Sequence, residues 1–229
     1  MQIIPSILEP RAQHYVDQII RLTPYLSHFQ IDIADGILVP NKTAPLQQIL
    51  LSLTNLQSPT TNRFSFDFHL MVSDPISHID YIKALKSHIQ LDTIFIHYQA
   101  LSSNAPFSYF INKYSVLAQI GLVLNPEDEV NTINSVIPLK TIPIIQIMTI
   151  HPGKQGNPFI IESLNKIGQL RYLGYRTKIA VDGGVNLETV QLMISRKQIP
   201  DIICPGSYFS KAENLEKRIE EMNKVILSY

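Results

Sequence analysis

Phe29-Gln30-Ile31-Asp32-Ile33-Ala34-Asp35-Gly36 is the stretch on which the reading of this chain turns. From Phe29 to Ile33 apolar and polar side chains alternate, as they do in a short strand whose two faces meet different surroundings. Gln30 and Asp32 share one face, and Phe29, Ile31 and Ile33 take the other. Asp35-Gly36 then stops the strand. A carboxylate near a strand end, at the mouth of a glycine turn, is well placed for catalysis. From sequence alone it is at least as often a turn former.

The same unit recurs on both sides of that stretch. Strands are expected at residues 2–6, 29–33, 64–69, 93–97, 117–124, 142–148, 178–182 and 201–204. Between them, apolar residues at helical spacing predict helices over 10–22, 46–53, 75–86, 106–114, 127–136, 158–173 and 187–196. A last amphipathic helix runs through Leu215, Ile219, Met222 and Ile226. Asp74-Pro75 is a good helix start, and residues 57–63 are polar and rich in breakers, so they read as an exposed loop. Strand–helix alternation implies a parallel sheet, and eight such units predict a closed (β/α)8 TIM barrel spanning residues 1–229 as a single α/β domain. A doubly wound open sheet is the alternative. The first strand lacks the glycine-rich fingerprint of a dinucleotide-binding version of it.

Composition narrows the function classes. Of 229 residues 45% are hydrophobic and 17% charged, within the range of one large domain. Nineteen basic residues balance nineteen acidic ones, so no long-range field recommends nucleic acid or an anionic membrane as partner. Apolar runs are far too short for a membrane span, and Met1-Gln2-Ile3-Ile4-Pro5 has no basic signal-peptide start. Cys204 is the one cysteine, which excludes an internal disulfide and a thiolate metal cluster. A cytoplasmic protein is expected.

In a barrel of this type, chemistry sits at the C-terminal ends of the strands. Ser6, Asp32, His69, His97, Met148 and Asp182 stand there. Asp32 and Asp182, on different strands, could remove a proton from one side of a carbon and return it to the other. A divalent metal beside a carbonyl would stabilise the resulting enediolate. Asp32, His69 and Asp182 form a mixed nitrogen and oxygen set suited to Zn, Fe, Mn or Co. Glycines follow the last three strands: Gly153 and Gly156, Gly183-Gly184, and Gly206 with Ser207. Backbone N–H groups freed by glycine suit a phosphate, although each pair alone is a common tight turn. His69 and His97 also read as satisfied core histidines, Met71 and Met148 as core packing, and Cys204 as an inert buried thiol.

Taken in order, these motifs resemble the ribulose-phosphate 3-epimerase family over essentially the whole length. Pro5-Ser6-Ile7-Leu8, Asp32-Ile33-Ala34-Asp35-Gly36 with Val39-Pro40-Asn41, and Asp67-Phe68-His69-Leu70-Met71-Val72 carry its first half. Gly121-Leu122-Val123-Leu124-Asn125-Pro126, Met148-Thr149-Ile150-His151-Pro152-Gly153, Val181-Asp182-Gly183-Gly184-Val185 and Gly206-Ser207 carry its second. The resemblance implies a metal-dependent isomerase of the pentose phosphate pathway that interconverts D-ribulose 5-phosphate and D-xylulose 5-phosphate, with relatives acting on other ketose phosphates. It implies that Asp32 and Asp182 are acid/base groups and metal ligands, and that His69 is a third ligand. Ser6 becomes a substrate contact, and His69, Met71 and Met148 also border the substrate. Gly153, Gly156, Gly183, Gly184, Gly206 and Ser207 take the phosphate. Homo-oligomers are common in the family.

The chain departs from the pattern in four places, one of them the loop from Gln57 to Arg63, which is longer than usual. Gln30 stands where the family has a histidine ligand; its side-chain oxygen can bind a metal, but it is neutral and a poorer partner than imidazole. Ala34 replaces a family methionine. Lys154, Gln155 and Asn157 occupy a loop that is usually richer in glycine, and Lys154 could pair with phosphate as a point charge. Two functional readings follow: a working epimerase, or a descendant with weak or lost activity that binds a sugar phosphate as a sensor or assembly partner.

Overall fold

Pro5 interrupts the first strand, because proline has no N–H to give to a sheet ladder. The structure, a computed structural model, describes residues 1–56, 64–84, 89–101, 105–152 and 156–229. In it the stretch expected as one strand is two, β1 (Gln2–Ile3) and β2 (Ser6–Ile7). The predicted loop at 57–63, the end of the helix predicted to residue 86, and residues 153–155 lie outside the described residues.

Two compact units hold these strands: Met1–Pro5 with Leu122–Tyr229, and Ser6–Gly121. In the second, β2 is followed by β3 (His28–Ala34), β4 (Ser65–Met71) and β5 (Gln90–His97), in parallel and in that order. Helices α1 (Ala12–Leu22), α2 (Leu46–Leu56), α3 (Pro75–Ala84) and α4 (Phe107–Tyr114) belong with them. β6 (Gln119–Leu124) crosses the boundary between the units. In the first unit β1 pairs with β9 (Ile202–Cys204), β9 with β8 (Lys178–Asp182), β8 with β7 (Ile144–Met148), and β7 with residues Leu122 to Leu124 of β6, all parallel. Its helices are α5 (Val130–Val136), α6 (Asn165–Tyr172), α7 (Leu187–Ser195), α8 (Ser207–Ser210) and α9 (Leu215–Leu227).

The closed eight-stranded TIM barrel expected from the sequence is therefore corrected. Among the described residues there are nine parallel strands in an order that begins at β1 and ends at β2, with two edges rather than a ring. The reason is local. Ile4 still donates its N–H to Ile203, 3.0 Å away, on the β9 side, whereas Ser6 pairs with Gln30 on β3. Proline between them divides one strand into two short edges.

Each unit buries both faces of its strands, which is why β7 and β8 read as nearly continuous apolar runs. In the Ser6–Gly121 unit, Phe29, Ile31, Phe66, Phe68, Ile94 and Ile96 are fully buried, as are Leu50 and Leu53 of α2. Burying a side chain of this size contributes about 1.5–3 kcal/mol. Asp74 begins α3 as expected, accepting the Ser77 N–H at 3.1 Å. A capping box, Asn186 with Thr189, starts α7. The helix predicted from 158 begins later: a 3-10 turn at Ile161–Leu164 leads into α6. Among the described residues no helix is long and apolar enough to cross a membrane.

Candidate functional site

Register brings the polar residues of β2, β3 and β4 side by side. Ser6 pairs with Gln30, Asp32 with His69, and Ala34 with Met71. Partners in a parallel ladder project to the same side of the sheet. Gln30, Asp32 and His69 are all buried. Asp32 Oδ1 lies 3.1 Å from His69 Nδ1 and accepts the Gln30 amide N–H at 2.9 Å. Gln30 Nε2 is also 3.4 Å from His69 Nδ1. The backbone beneath is tied down by Tyr15, whose hydroxyl donates to the Asp32 carbonyl at 2.7 Å. Burial is the main reason that the Tyr15 phenol is held far above its ordinary pKa, in its neutral donor form.

His69 does not end its strand, as the sequence suggests; β4 continues to Met71. Met71, Ala34 and Val39 form one buried cluster with Leu8 against it. On the other ring nitrogen of His69, His97 approaches with Nε2 to Nε2 at 2.8 Å.

Asp35 organises the turn after β3. Its Oδ1 accepts the N–H groups of Ile37 and Leu38, and its Oδ2 accepts the N–H and hydroxyl of Ser73. Partial desolvation pushes its carboxyl up, but these four hydrogen bonds together outweigh it and bring the pKa down to about 2. Gly36 follows with φ +79°. The sequence marked Asp35 only as a strand breaker; its part in binding the 71–73 segment needs a contact 38 positions away.

A second histidine–aspartate group belongs to the same unit. His28 Nε2 lies 3.0 Å from Asp67 and 3.8 Å from Asp92, and their ligand atoms fall within 4.8 Å of one another. Burial raises the Asp67 carboxyl pKa, against the pull of the His28 hydrogen bond. This group stands on the strand stretches preceding Gln30, His69 and His97 and could hold a cation, or serve as a plain ion pair.

In the other unit, Met148 and Asp182 are register partners on β7 and β8, and both are buried. Gln146, fully buried, donates Nε2 to Asp182 Oδ2 at 3.2 Å. Its own Oε1 has no hydrogen-bond partner among the described residues. A buried acceptor without a donor costs about 1–3 kcal/mol, so this oxygen suits a hydroxyl or water. Sequence reading missed Gln146, because a lone polar residue within an apolar strand has no local signature.

Asp182 is followed at once by Gly183 and Gly184, with φ +106° and +66°. A Cβ on Gly183 would lie 2.5 Å from Ile150 Cγ1, and one on Gly184 would lie 3.2 Å from Phe159 Cδ2. Thr149, buried, holds the turn: its N–H donates to the Asp182 carbonyl at 2.8 Å and its hydroxyl reaches the same oxygen at 3.0 Å. Gly156 is exposed with φ +89°. Gly206 caps the four-residue α8, and Ser207 is its first residue. Gly153 lies outside the described residues. Cys204 is buried, the register partner of Asp182.

The donor chemistry fits a divalent metal. In the Ser6–Gly121 unit Asp32 and His69 each offer a ligand atom and both are buried; in the other unit Asp182 is a buried carboxylate. Two ligands each about 2.1 Å from one ion, at right or tetrahedral angles, stand roughly 3.0–3.4 Å apart. Asp32 Oδ1 and His69 Nδ1 are at 3.1 Å. One imidazole nitrogen with carboxylate oxygens suits Zn, Fe, Mn or Co better than Ca.

Comparison with known proteins adds to this geometry. The sequence profile of the ribulose-phosphate 3 epimerase family matches residues 2–209. The chain is 31% identical to ribulose-phosphate 3-epimerase of Treponema pallidum over 186 residues, 78% of this chain and 77% of that protein. It is 25% identical to ribulose-phosphate 3-epimerase of Schizosaccharomyces pombe over 228 residues, 99% of this chain and 94% of that one. The solved structure of 3-hexulose-6-phosphate synthase from Salmonella typhimurium resembles it with a TM-score of 0.69, at 11% identity, over 100% of this chain and 99% of that one. That last likeness is one of fold.

Proposed function

From the premise that the chain belongs to the ribulose-phosphate 3 epimerase family, we propose that it is a metal-dependent ketose-phosphate 3-epimerase converting D-ribulose 5-phosphate to D-xylulose 5-phosphate. The observation that carries this reading is the buried Asp32–His69 pair, 3.1 Å apart on neighbouring strands. Asp32 and Asp182 are the two proton-transfer groups. One takes the proton from C3, and the C3–H electron pair moves into an enediolate across C2 and C3. The other gives a proton back to the opposite face of C3, which inverts that centre. Each such positioned acid or base contributes about 10²–10⁴-fold.

A single divalent ion (Zn, Fe, Mn or Co) held by Asp32, His69 and Asp182 would supply positive charge against the enediolate oxygens. Gln146 orients the Asp182 carboxylate through Oδ2, leaving Oδ1 for the chemistry. Met71 and Met148 give the reacting carbons apolar walls, and Ser6 contacts the sugar. Backbone N–H groups at Gly153, Gly156, Gly183, Gly184, Gly206 and Ser207 take the phosphate. We include in the proposal that copies of the chain associate, which sedimentation velocity reads directly.

The purified protein, supplied with Co²⁺ or Mn²⁺, should exchange the C3 proton of D-ribulose 5-phosphate with solvent deuterium. Asp182→Asn should abolish that exchange while its circular dichroism stays native. Absence of exchange in the natural protein with every metal tried, or full exchange in the variant, would refute the proposal.

One observation favours the second reading, a sugar-phosphate binder with weak or lost activity. Gln30 turns its amide nitrogen, not its oxygen, towards Asp32. In that arrangement it offers a metal nothing. Saturable binding of the sugar phosphate without exchange is the result that distinguishes this reading.

A further inference from the structure

We propose that His97 is the positioning residue that makes His69 competent to bind the metal, by accepting a hydrogen bond from His69 Nε2 so that Nδ1 is left bare. This rests on the reading of Asp32 and His69 as ligands. Both imidazoles are fully buried, with Nε2 to Nε2 at 2.8 Å, centroids 4.9 Å apart and ring planes within 16° of each other, so the two rings meet edge to edge at these nitrogens. At that separation one proton lies between the two nitrogens. With two the N–H groups would collide, and with none two lone pairs would face each other.

The other end of His69 decides which ring owns that proton. Nδ1 is 3.1 Å from Asp32 Oδ1. Without an ion, Nδ1 carries the proton and donates to Asp32; His69 Nε2 is then the acceptor and His97 the donor. A metal on Nδ1 requires a lone pair there. Neutral imidazole has one N–H, so it must move to Nε2 and point at His97. His97 can receive it only with Nε2 bare and its own proton on Nδ1. Loading thus reverses the direction of the His69–His97 hydrogen bond. Both rings change tautomer and both stay neutral: the shared proton passes from His97 Nε2 to His69 Nε2, the proton displaced from His69 Nδ1 goes to solvent, and His97 Nδ1 takes one up, so the proton count of the pair is unchanged. A residue that could only donate at position 97 would hold His69 in the wrong tautomer; a histidine can do either.

The fold supplies the alignment. Phe95 is the register partner of His69, and His97 lies two residues further along β5, on the same side of the sheet. Its place at the end of an apolar strand made it a satisfied core histidine from sequence, and the residue that satisfies it is a ligand.

Partners of this kind are worth about 10–100-fold in metal affinity. Affinity for Co²⁺ and Zn²⁺ is measured by chelator competition on the natural protein, His97→Leu and His97→Gln. Leucine should cost 10–100-fold, and glutamine, whose side-chain oxygen can accept from His69 Nε2–H, should recover most of it. Nitrogen-15 histidine spectra of the Zn²⁺-loaded natural protein should show His69 protonated on Nε2. A folded His97→Leu protein with natural affinity overturns the inference and leaves the epimerase reading standing. So does a loaded protein with His69 protonated on Nδ1, which decides the matter even if the leucine variant does not fold. A natural protein that holds neither ion sinks the metal-dependent reading, and this inference with it.

Discussion

Gln30 has one amide and two competing uses for it. As it stands, Nε2 donates to Asp32 Oδ1 at 2.9 Å and approaches His69 Nδ1 at 3.4 Å, so it holds the pair together as an organic donor. A histidine there would present a ligand nitrogen to the same place. Gln30→His is expected to raise affinity for Zn²⁺ or Co²⁺ by at least about tenfold, the scale of one added good contact, as read by chelator competition. Unchanged affinity would mean that Gln30 is not beside the ion. Asp32 and His69 could be singled out from sequence because each lies in an alternating stretch and in a short motif that resembles the family. Gln146 and Thr149 could not, since their importance comes from Asp182, more than thirty positions away.

Two turns position the strand ends, and each can be tested. Gly183 combines φ +106° with a virtual Cβ only 2.5 Å from Ile150 Cγ1. Alanine there would meet both an unfavourable backbone and a clash, each costing about 1–3 kcal/mol. Gly183→Ala is therefore expected to lower unfolding stability by about 2 kcal/mol or more in a urea titration, whatever its effect on phosphate binding. After β3 the device is Asp35. Its pKa is about 2 in the folded chain against 3.8 ordinarily. A carboxyl lowered on folding stabilises above its unfolded pKa, and that stabilisation is lost as pH falls through the folded one. The natural protein should lose stability from about pH 4 down to pH 2 more steeply than Asp35→Asn, as followed by thermal melts at stepped pH. Equal slopes would show that the Ser73, Ile37 and Leu38 hydrogen bonds do not depend on the charge. At this scale the sequence was informative about which elements exist, because periodicity of 2 or 3.6 is a local property. It was poorer at their ends: β4 runs two residues past His69 and α6 starts seven residues after Pro158.

For the molecule as a whole, a metal that binds the folded chain alone must stabilise it. At one hundred times its dissociation constant that amounts to about 2.7 kcal/mol, or roughly 5–10 °C in Tm for a chain of this size. Co²⁺ should raise the melting temperature of the natural protein, EDTA should reverse the rise, and Asp32→Asn should show none. A chain that melts identically with and without every candidate ion would count against a metal centre. What the sequence by itself determined was the alternation of strands and helices and the family, and it named the residues proposed for the site, since all of these are written in local periodicity and in motifs of a few residues. The tertiary structure decided the rest. It split the first strand at Pro5 and gave the sheet two edges where a ring was expected. It set Asp32 against His69 and His69 against His97 by the register of β3, β4 and β5. Register and closure depend on which strands exchange hydrogen bonds across dozens of intervening residues, and no local pattern encodes that choice.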